Sequence, residues 1–279
     1  MLCKSRKIQI FWKYSTYIVF KRYPNNIQQA DTPVLVLCSD KQRYICKYMR
    51  PSDTISYKLA CEFLGAVFAD AWNINTPPFA LVRIMPAHWM SVYVSHNSYA
   101  PTIGFQKLEG VIDITPSSFR LVEANTATLY QLLKIALFDF WIANEDRTYN
   151  NANLLYDIEN ERLVSIDYGR ILNNLTFDFS LSQLTETDSI LYADIFAAIN
   201  KHISQKQFSN AIELLKQDYL QCIKHSRKQA RLLTNIPTEW AVPSVKIANK
   251  VEELFSLPWI ESAWEHFIEC LKSNRNYGK

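Results

Sequence analysis

An apolar run that stops abruptly in a polar knot constrains this chain more than any other feature. "LLKIALFDFWIA", Leu132 to Ala143, is followed at once by "NEDRTYNNANLL", Asn144 to Leu155. The first part, with a few residues before it, sets Leu129, Leu132, Leu133, Ala136, Leu137, Phe140 and Trp141 on one broad helical stripe, which only a large core can cover. The second part gathers Asp146, Arg147 and the amides Asn150, Asn151 and Asn153, then turns apolar again at Leu154 and Leu155. Polar groups between two core segments are costly unless they are paired or face a cleft. The knot is therefore read as a loop on a cleft floor. Asp139, the acid inside "FDFW", is read as its buried anchor, Arg147 as structural and Trp141 as core.

Around this segment the chain has two textures. Up to about residue 104 it reads as strands: "YSTYIVFKRY", "PVLVLCSD" and "YICKYM" across a polar turn, "PFALVRIM" and "MSVYVSH", all β-branched or aromatic. One helix interrupts them, "SYKLACEFLGAVFADAW", with Leu59, Phe63, Val67 and Phe68 on one face and "NINTPP" as its stop. Beyond about residue 125 the texture is helical. The polar loop is followed by a short hairpin, "NLLYD" and "LVSIDYG" around "IENER", and then by helices from about Asp194 to the end. Strands first and helices second predict an α+β chain of two lobes, 1–104 and 105–279, with the ligand site in the cleft between them.

Composition narrows the class. With 48% hydrophobic and 20% charged residues over 279 positions, the chain can build a sizeable core. A net charge of +3 is too small to point to nucleic acid, and the basic residues near the start (Lys4, Arg6, Lys7, Lys13, Lys21, Arg22) read as a solvated surface. The six cysteines form no CxxC pair and are expected to be reduced thiols of a cytoplasmic protein. The five histidines lack metal-ligand spacing. No apolar run has the length of a membrane span, and Lys13 interrupts the apolar start where a signal peptide would need continuity.

The spacing within the knot suggests a chemistry. Asn151 stands five residues after Asp146, and Asp167, in "SIDYG", twenty-one after it. A long apolar helix, a carboxylate, an amide five on, a hairpin and Asp-x-Gly is the layout used for phosphoryl transfer from ATP. Asp146 would orient the attacking hydroxyl and accept its proton, while Asn151 and Asp167 would hold Mg²⁺, a cation that favours hard oxygen ligands. Asn153 could replace or assist Asn151, and Gly169 is expected to let the backbone turn sharply beside the metal site. Upstream, Lys47 alternates with apolar neighbours on a strand and could reach the ATP phosphates. Glu62 lies amid "LACEFLGA" and needs a partner, for which Lys47 is the obvious candidate.

With these blocks in place the sequence resembles the HipA-like kinases, a divergent branch of the protein-kinase-like superfamily related in layout to the phosphatidylinositol kinases. The resembling stretches are "VLVLCSDKQRYICKYM", "KLACEFLGAVFADAWNINTPP", "LFDFWIANEDRTYNNANLL" and "LVSIDYGRIL", with a late "IPTEW". The resemblance implies a bilobal kinase-like fold and ATP as co-substrate with Mg²⁺. It also implies Asp146 as catalytic base, Asn151 and Asp167 as metal ligands, Lys47 as the phosphate-binding lysine and Glu62 as its helix partner. Where a glycine-rich loop would lie there is no GxGxxG, so the phosphate loop is expected at "CSDKQR", with Ser39, Asp40 and Lys41 at the turn. The adenine-binding connection is expected within "IGFQKLEGVIDI". A Ser or Thr hydroxyl on a protein is the expected acceptor, with no membrane or direct nucleic-acid partner. The alternatives are a nucleotide-binding pseudokinase acting as an interaction module, and a kinase of a small molecule or lipid headgroup.

Overall fold

The computed structural model describes residues 12–19, 33–50, 52–85, 100–148 and 150–277. The strand expected at "MSVYVSH" lies outside them, as does Cys3. Among the described residues five strands come first: β1 (Trp12–Val19), β2 (Val34–Cys38), β3 (Arg43–Lys47), β4 (Phe79–Arg83) and β5 (Thr102–Gln106). They pair in the order β1-β2-β3-β5-β4, antiparallel throughout except for a parallel β1·β4 pairing that closes the sheet into a barrel. Closure leaves no open edge, which removes a route to strand-on-strand association. Alternation along the strands does the sorting. Val34, Val36, Tyr44, Cys46 and Val82 form one small core, while Leu81 and Ile103 join the main core. Lys47 pairs with Ile103. Gly104, where the boundary between lobes is expected, lies inside β5.

Helix α1 (Tyr57–Ala71) connects β3 to β4 and is the pivot of the packing. Its ends contribute little: Ser56 makes no side-chain cap bond and the first turn holds no acid. Burial holds it instead. The one-faced stripe expected for this helix is too modest, because every residue from Leu59 to Ala69 is buried, Glu62 included. Its left-handed stop is Asn73, at φ 55°, a residue type that tolerates that region.

A second sheet, β6 (Val111–Asp113), β7 (Leu154–Asp157) and β8 (Arg162–Ser165), is antiparallel, so the expected hairpin gains a third strand. Helix α2 (Thr126–Ile142) begins at Asn125, whose side chain accepts from the Thr128 N–H at 2.9 Å, and ends on left-handed Ala143. After β8 come one turn, α3 (Ile171–Leu175), then α4 (Asp194–Asn200), α5 (Gln205–Gln229), α6 (Ser244–Leu254) and α7 (Leu257–Tyr277). In α3 the residues Leu172, Asn173, Asn174 and Leu175 all have positive φ, between 48° and 72°. The α+β expectation therefore matches a sheet-rich first part and a helical second part. Among the described residues no helix is long and apolar enough to cross a membrane.

Aromatic residues knit α1 to the helical part. Trp72 stacks on Trp141 with ring centroids 5.4 Å apart, and Phe138 meets both edge-on or tilted. The Trp141 indole N–H donates to the Leu254 carbonyl at 2.9 Å, and Trp259 donates to the Trp141 carbonyl at 2.7 Å. Such rings combine a large buried area with a polar tip that usually finds a partner, as those of Trp141 and Trp259 do.

One contact ties α1 directly to the segment after β8. A Cβ built on Gly65 would lie 2.2 Å from the Cβ of Tyr168, so only glycine lets helix and segment meet. Gly65→Ala should lower stability by about 1–3 kcal/mol through overpacking, despite the roughly 1 kcal/mol that alanine gains in a helix. Urea denaturation checks this, and an unchanged midpoint would mean that the two elements do not approach.

Candidate active site

Lys47, at the end of β3, reaches two carboxylates. Its ammonium is hydrogen-bonded to Glu62 Oε1 of α1 and lies 2.8 Å from Asp167 Oδ1, beyond the end of β8. The second oxygen of Glu62 accepts from the Tyr168 N–H at 3.0 Å. Glu62 is thus fully buried yet satisfied on both oxygens, as a buried carboxylate must be. Burial pushes its pKa up to about 7, with Lys47 opposing and Asp167 adding to the rise. For Lys47 burial works downward, but the two carboxylates outweigh it and hold the ammonium above its usual value. For Asp167 burial works upward, and Lys47 outweighs it, so this carboxyl stays well below the usual range. The sharp backbone turn is made by Asp167 itself, at φ 60°, rather than by Gly169. Gly169 is needed for room instead: a Cβ there would lie 2.8 Å from Glu62 Oε1.

The polar knot is organised around Arg147, which is completely buried. Its Nε donates to Asp139 Oδ2 at 2.7 Å, Nη1 to the carbonyls of Ala152 and Asn153 at 2.8 and 2.5 Å, and Nη2 to Ser165 Oγ at 2.7 Å. Asp139 Oδ1 accepts from Asn144 Nδ2 at 2.8 Å. Burial pushes Asp139 up to about 6 even against Arg147 and Asn144. One guanidinium therefore binds the end of α2, the loop and β8 together, with every bond charge-assisted.

Asp146 projects from the loop so held. Its Oδ2 accepts from Asn153 Nδ2 at 3.2 Å, and its Oδ1 lies 3.7 Å from Arg170 Nη1. Burial raises its pKa, the nearby Asp167 charge raises it further, and Arg170 opposes both. The Asn151 amide donates to the Asp146 carbonyl at 3.2 Å and is the more exposed of the two amides. Asn153 is left-handed, at φ 45°, and its carbonyl accepts from the Ile166 N–H at 3.0 Å, next to Asp167. Two neighbouring non-glycine residues in that region store of the order of 1 kcal/mol each, a pattern found where side chains must be aimed. Among the described residues no three His, Cys, Asp or Glu side chains gather as a metal cage. The donors here are carboxylate and amide oxygens, and two mutually repelling carboxylates beside amide oxygens suit a hard divalent cation that keeps most of its water.

A cavity of about 540 Å³ opens beside this cluster, with Ile45, Lys47, Phe105, Leu155, Ile166 and Asp167 among its walls and the connection Lys107–Gly110 along one rim. The structure does not bring Ser39, Asp40 and Lys41 to it. They form the β2–β3 turn, and the pairing of Leu37 with Arg43 and Val34 with Cys46 puts that turn at the opposite end of the strands. From Arg43 to Lys47 the strand climbs about 13 Å. Asp40 is used locally: it accepts from Gln42 N and Tyr44 Oη and pairs with Lys13 at 3.2 Å. It is Pro33, at the start of β2, that reaches the cavity.

Two neighbours were not singled out in the sequence. Asn173 donates to Glu145 Oε1 at 2.9 Å and to the Ser182 carbonyl at 3.0 Å, and accepts from Ser182 N at 2.8 Å. Arg170 meets Asp146 as above. The doublet Asn173-Asn174 was a legible turn signal, whereas nothing in the spacing marks Arg170 as facing the loop. If Arg147 organises the knot, Arg147→Leu should cost about 3–5 kcal/mol by stranding Asp139, and pairing it with Asp139→Leu should restore much of the loss. Denaturation of the single and double variants checks this, and additive losses would count against the pair.

The family model of the HipA-like kinases matches residues 21–266. No curated protein matches the chain. Solved structures that match include the open conformation of CtTel1, at 10% identity and a TM-score of 0.30, with 88% of this chain and 11% of that one covered. With its family model extending over most of the sequence, the chain belongs to the HipA-like kinases.

Proposed function

We propose that the protein is an ATP-dependent phosphotransferase of bilobal, kinase-like build that transfers the γ-phosphoryl group of ATP to a hydroxyl. One observation carries the reading. Lys47, Glu62, Asp167, Asp146 and Asn153, drawn from four separate stretches of sequence, form one cluster, and its Lys47 and Asp167 line a single cavity. A structural ion pair needs two partners, not a lysine shared by two carboxylates next to a third acid. On this reading the lobes divide at Lys107–Gly110, which also forms the adenine rim, and the apolar walls take the flat base.

Lys47 holds ATP phosphate oxygens, kept on station by Glu62. Asp167 and Asn153, with Asn151 as the outer candidate, would hold Mg²⁺, whose charge offsets that of the phosphates. Asp146 sits where an acceptor hydroxyl would meet the terminal phosphorus; its carboxylate orients that hydroxyl and takes its proton. Asn153 and Arg170 fix the direction of the carboxylate from either side. A protein Ser or Thr as acceptor rests on family analogy.

Asp146→Asn should leave Mg·ATP binding intact and cut turnover about 10²- to 10⁴-fold. ADP release together with a nucleotide-induced rise in Tm checks both halves; a variant that turns over normally while melting lower would make Asp146 a loop-capping residue. Asp167→Asn should abolish the Mg²⁺-dependent part of the ATP-induced rise in Tm, and an undiminished rise would remove Asp167 from the metal site. Lys47→Met should weaken ATP binding at any Mg²⁺ concentration, as isothermal titration would report.

A further inference from the structure

We propose that Arg170 is a further catalytic residue, whose guanidinium contacts the transferring phosphoryl group and offsets the charge on it during transfer. The proposal rests on Asp146 being the base. A base must lie within about 2.6–3.2 Å of the hydroxyl it deprotonates, and that oxygen must lie within about 3–3.5 Å of the phosphorus it attacks. Arg170 Nη1 already borders the outer oxygen of Asp146, 3.7 Å from Oδ1, while Oδ2 is occupied by Asn153. At that distance the contact is an ion pair rather than a hydrogen bond, so the guanidinium can turn to a neighbouring anion.

Two other cations near the loop are committed, while Lys58 lies beside Gly169 and Asp167. Lys47 is held between Glu62 and Asp167. Arg147 spends its Nε, Nη1 and Nη2 on Asp139, two carbonyls and Ser165, with no exposure to solvent. The Arg170 side chain is 56% exposed. Its root, by contrast, is fixed to the loop: Glu145 N donates to the Arg170 carbonyl at 3.4 Å, Asn173 N to Ala143 O at 3.0 Å, and Asn173 Nδ2 to Glu145 Oε1 at 2.9 Å. A fixed root and an exposed, planar, cationic head suit a group that engages only as charge develops. In the step it serves, the acceptor oxygen bonds to the γ-phosphorus and the bond from that phosphorus to the β–γ bridging oxygen breaks. The hydroxyl proton passes to Asp146 and ADP leaves. Arg170 bridges Asp146 and the equatorial phosphoryl oxygens, forming and breaking no covalent bond.

The full chain tests this without knowledge of its acceptor, using Mg·ADP with aluminium fluoride as a mimic of the transferring group and water as acceptor for ATP hydrolysis. Arg170→Ala should bind Mg·ADP as the wild type does, lose at least about tenfold in affinity for Mg·ADP with aluminium fluoride, and hydrolyse ATP about 10²- to 10³-fold more slowly. Added guanidinium should restore part of the rate. Arg170→Gln, which keeps length and polarity, should show the same selective loss and guards against a folding artefact. Equal affinity of wild type and both variants for the fluoride complex overturns the proposal, as does a parallel loss of Mg·ADP binding, which would make Arg170 a structural residue. A wild-type protein that neither binds Mg·ADP nor hydrolyses ATP overturns the kinase reading itself, and the role of Arg170 with it; the variants are not needed to see that failure.

Discussion

A guanidinium with no exposure to water is the constraint on which the rest of the site depends. Removing Arg147 from solvent costs several kcal/mol, and that cost is met only because Asp139, two loop carbonyls and Ser165 all converge on it. The partners belong to three different elements, so the bonds form together or scarcely at all. The end of α2, the polar knot and β8 are thereby one body. The left-handed backbone of Asn153 follows from this: its carbonyl must serve both Arg147 and the Ile166 N–H, and few conformations point it at both.

The second junction is electrostatic and joins that body to the barrel. Lys47 is carried by a strand, Glu62 by a buried helix and Asp167 by the segment after β8. Glu62 cannot afford to lose its partners, since it has no water to turn to. Its second oxygen on the Tyr168 N–H and the close approach of Gly65 to the Tyr168 side chain fix the spacing of α1 and Asp167 from two directions. Displacing the helix would therefore disturb Lys47 and Asp167 at once.

Much of this was legible in the sequence because the chemistry is conspicuous. An acid in an apolar helix, such as Glu62, and a lysine alternating with apolar strand residues, such as Lys47, each demand a partner, and each is the other's. The Asp139 anchor was legible for the same reason. The turn Ser39–Lys41 was expected at the phosphates because it is polar and lies between two strands, and it does not line the cavity. Which end of a hairpin faces a cavity depends on pairing register and barrel closure, and both are properties of the whole sheet. Total burial of α1 was equally hidden: periodicity reports the face that must be covered and is silent about neighbours arriving on the other sides. Asn151 and Asn153 differ in a backbone angle and a carbonyl direction, which spacing does not report.

The short turn after Gly169 carries a consequence of its own. Leu172, Asn173, Asn174 and Leu175 are all left-handed, and none is glycine, so each of the two leucines sits about 1–2 kcal/mol above right-handed backbone and the two asparagines less. An isolated peptide of this sequence would not keep that shape. It persists because Asn173 is stapled to Ala143, Glu145 and Ser182. The turn is thus a borrowed conformation, on loan from the polar knot, and it has no independent stability with which to outlast its lender. In hydrogen exchange the two would open as one unit, although some twenty residues and a hairpin separate them along the chain.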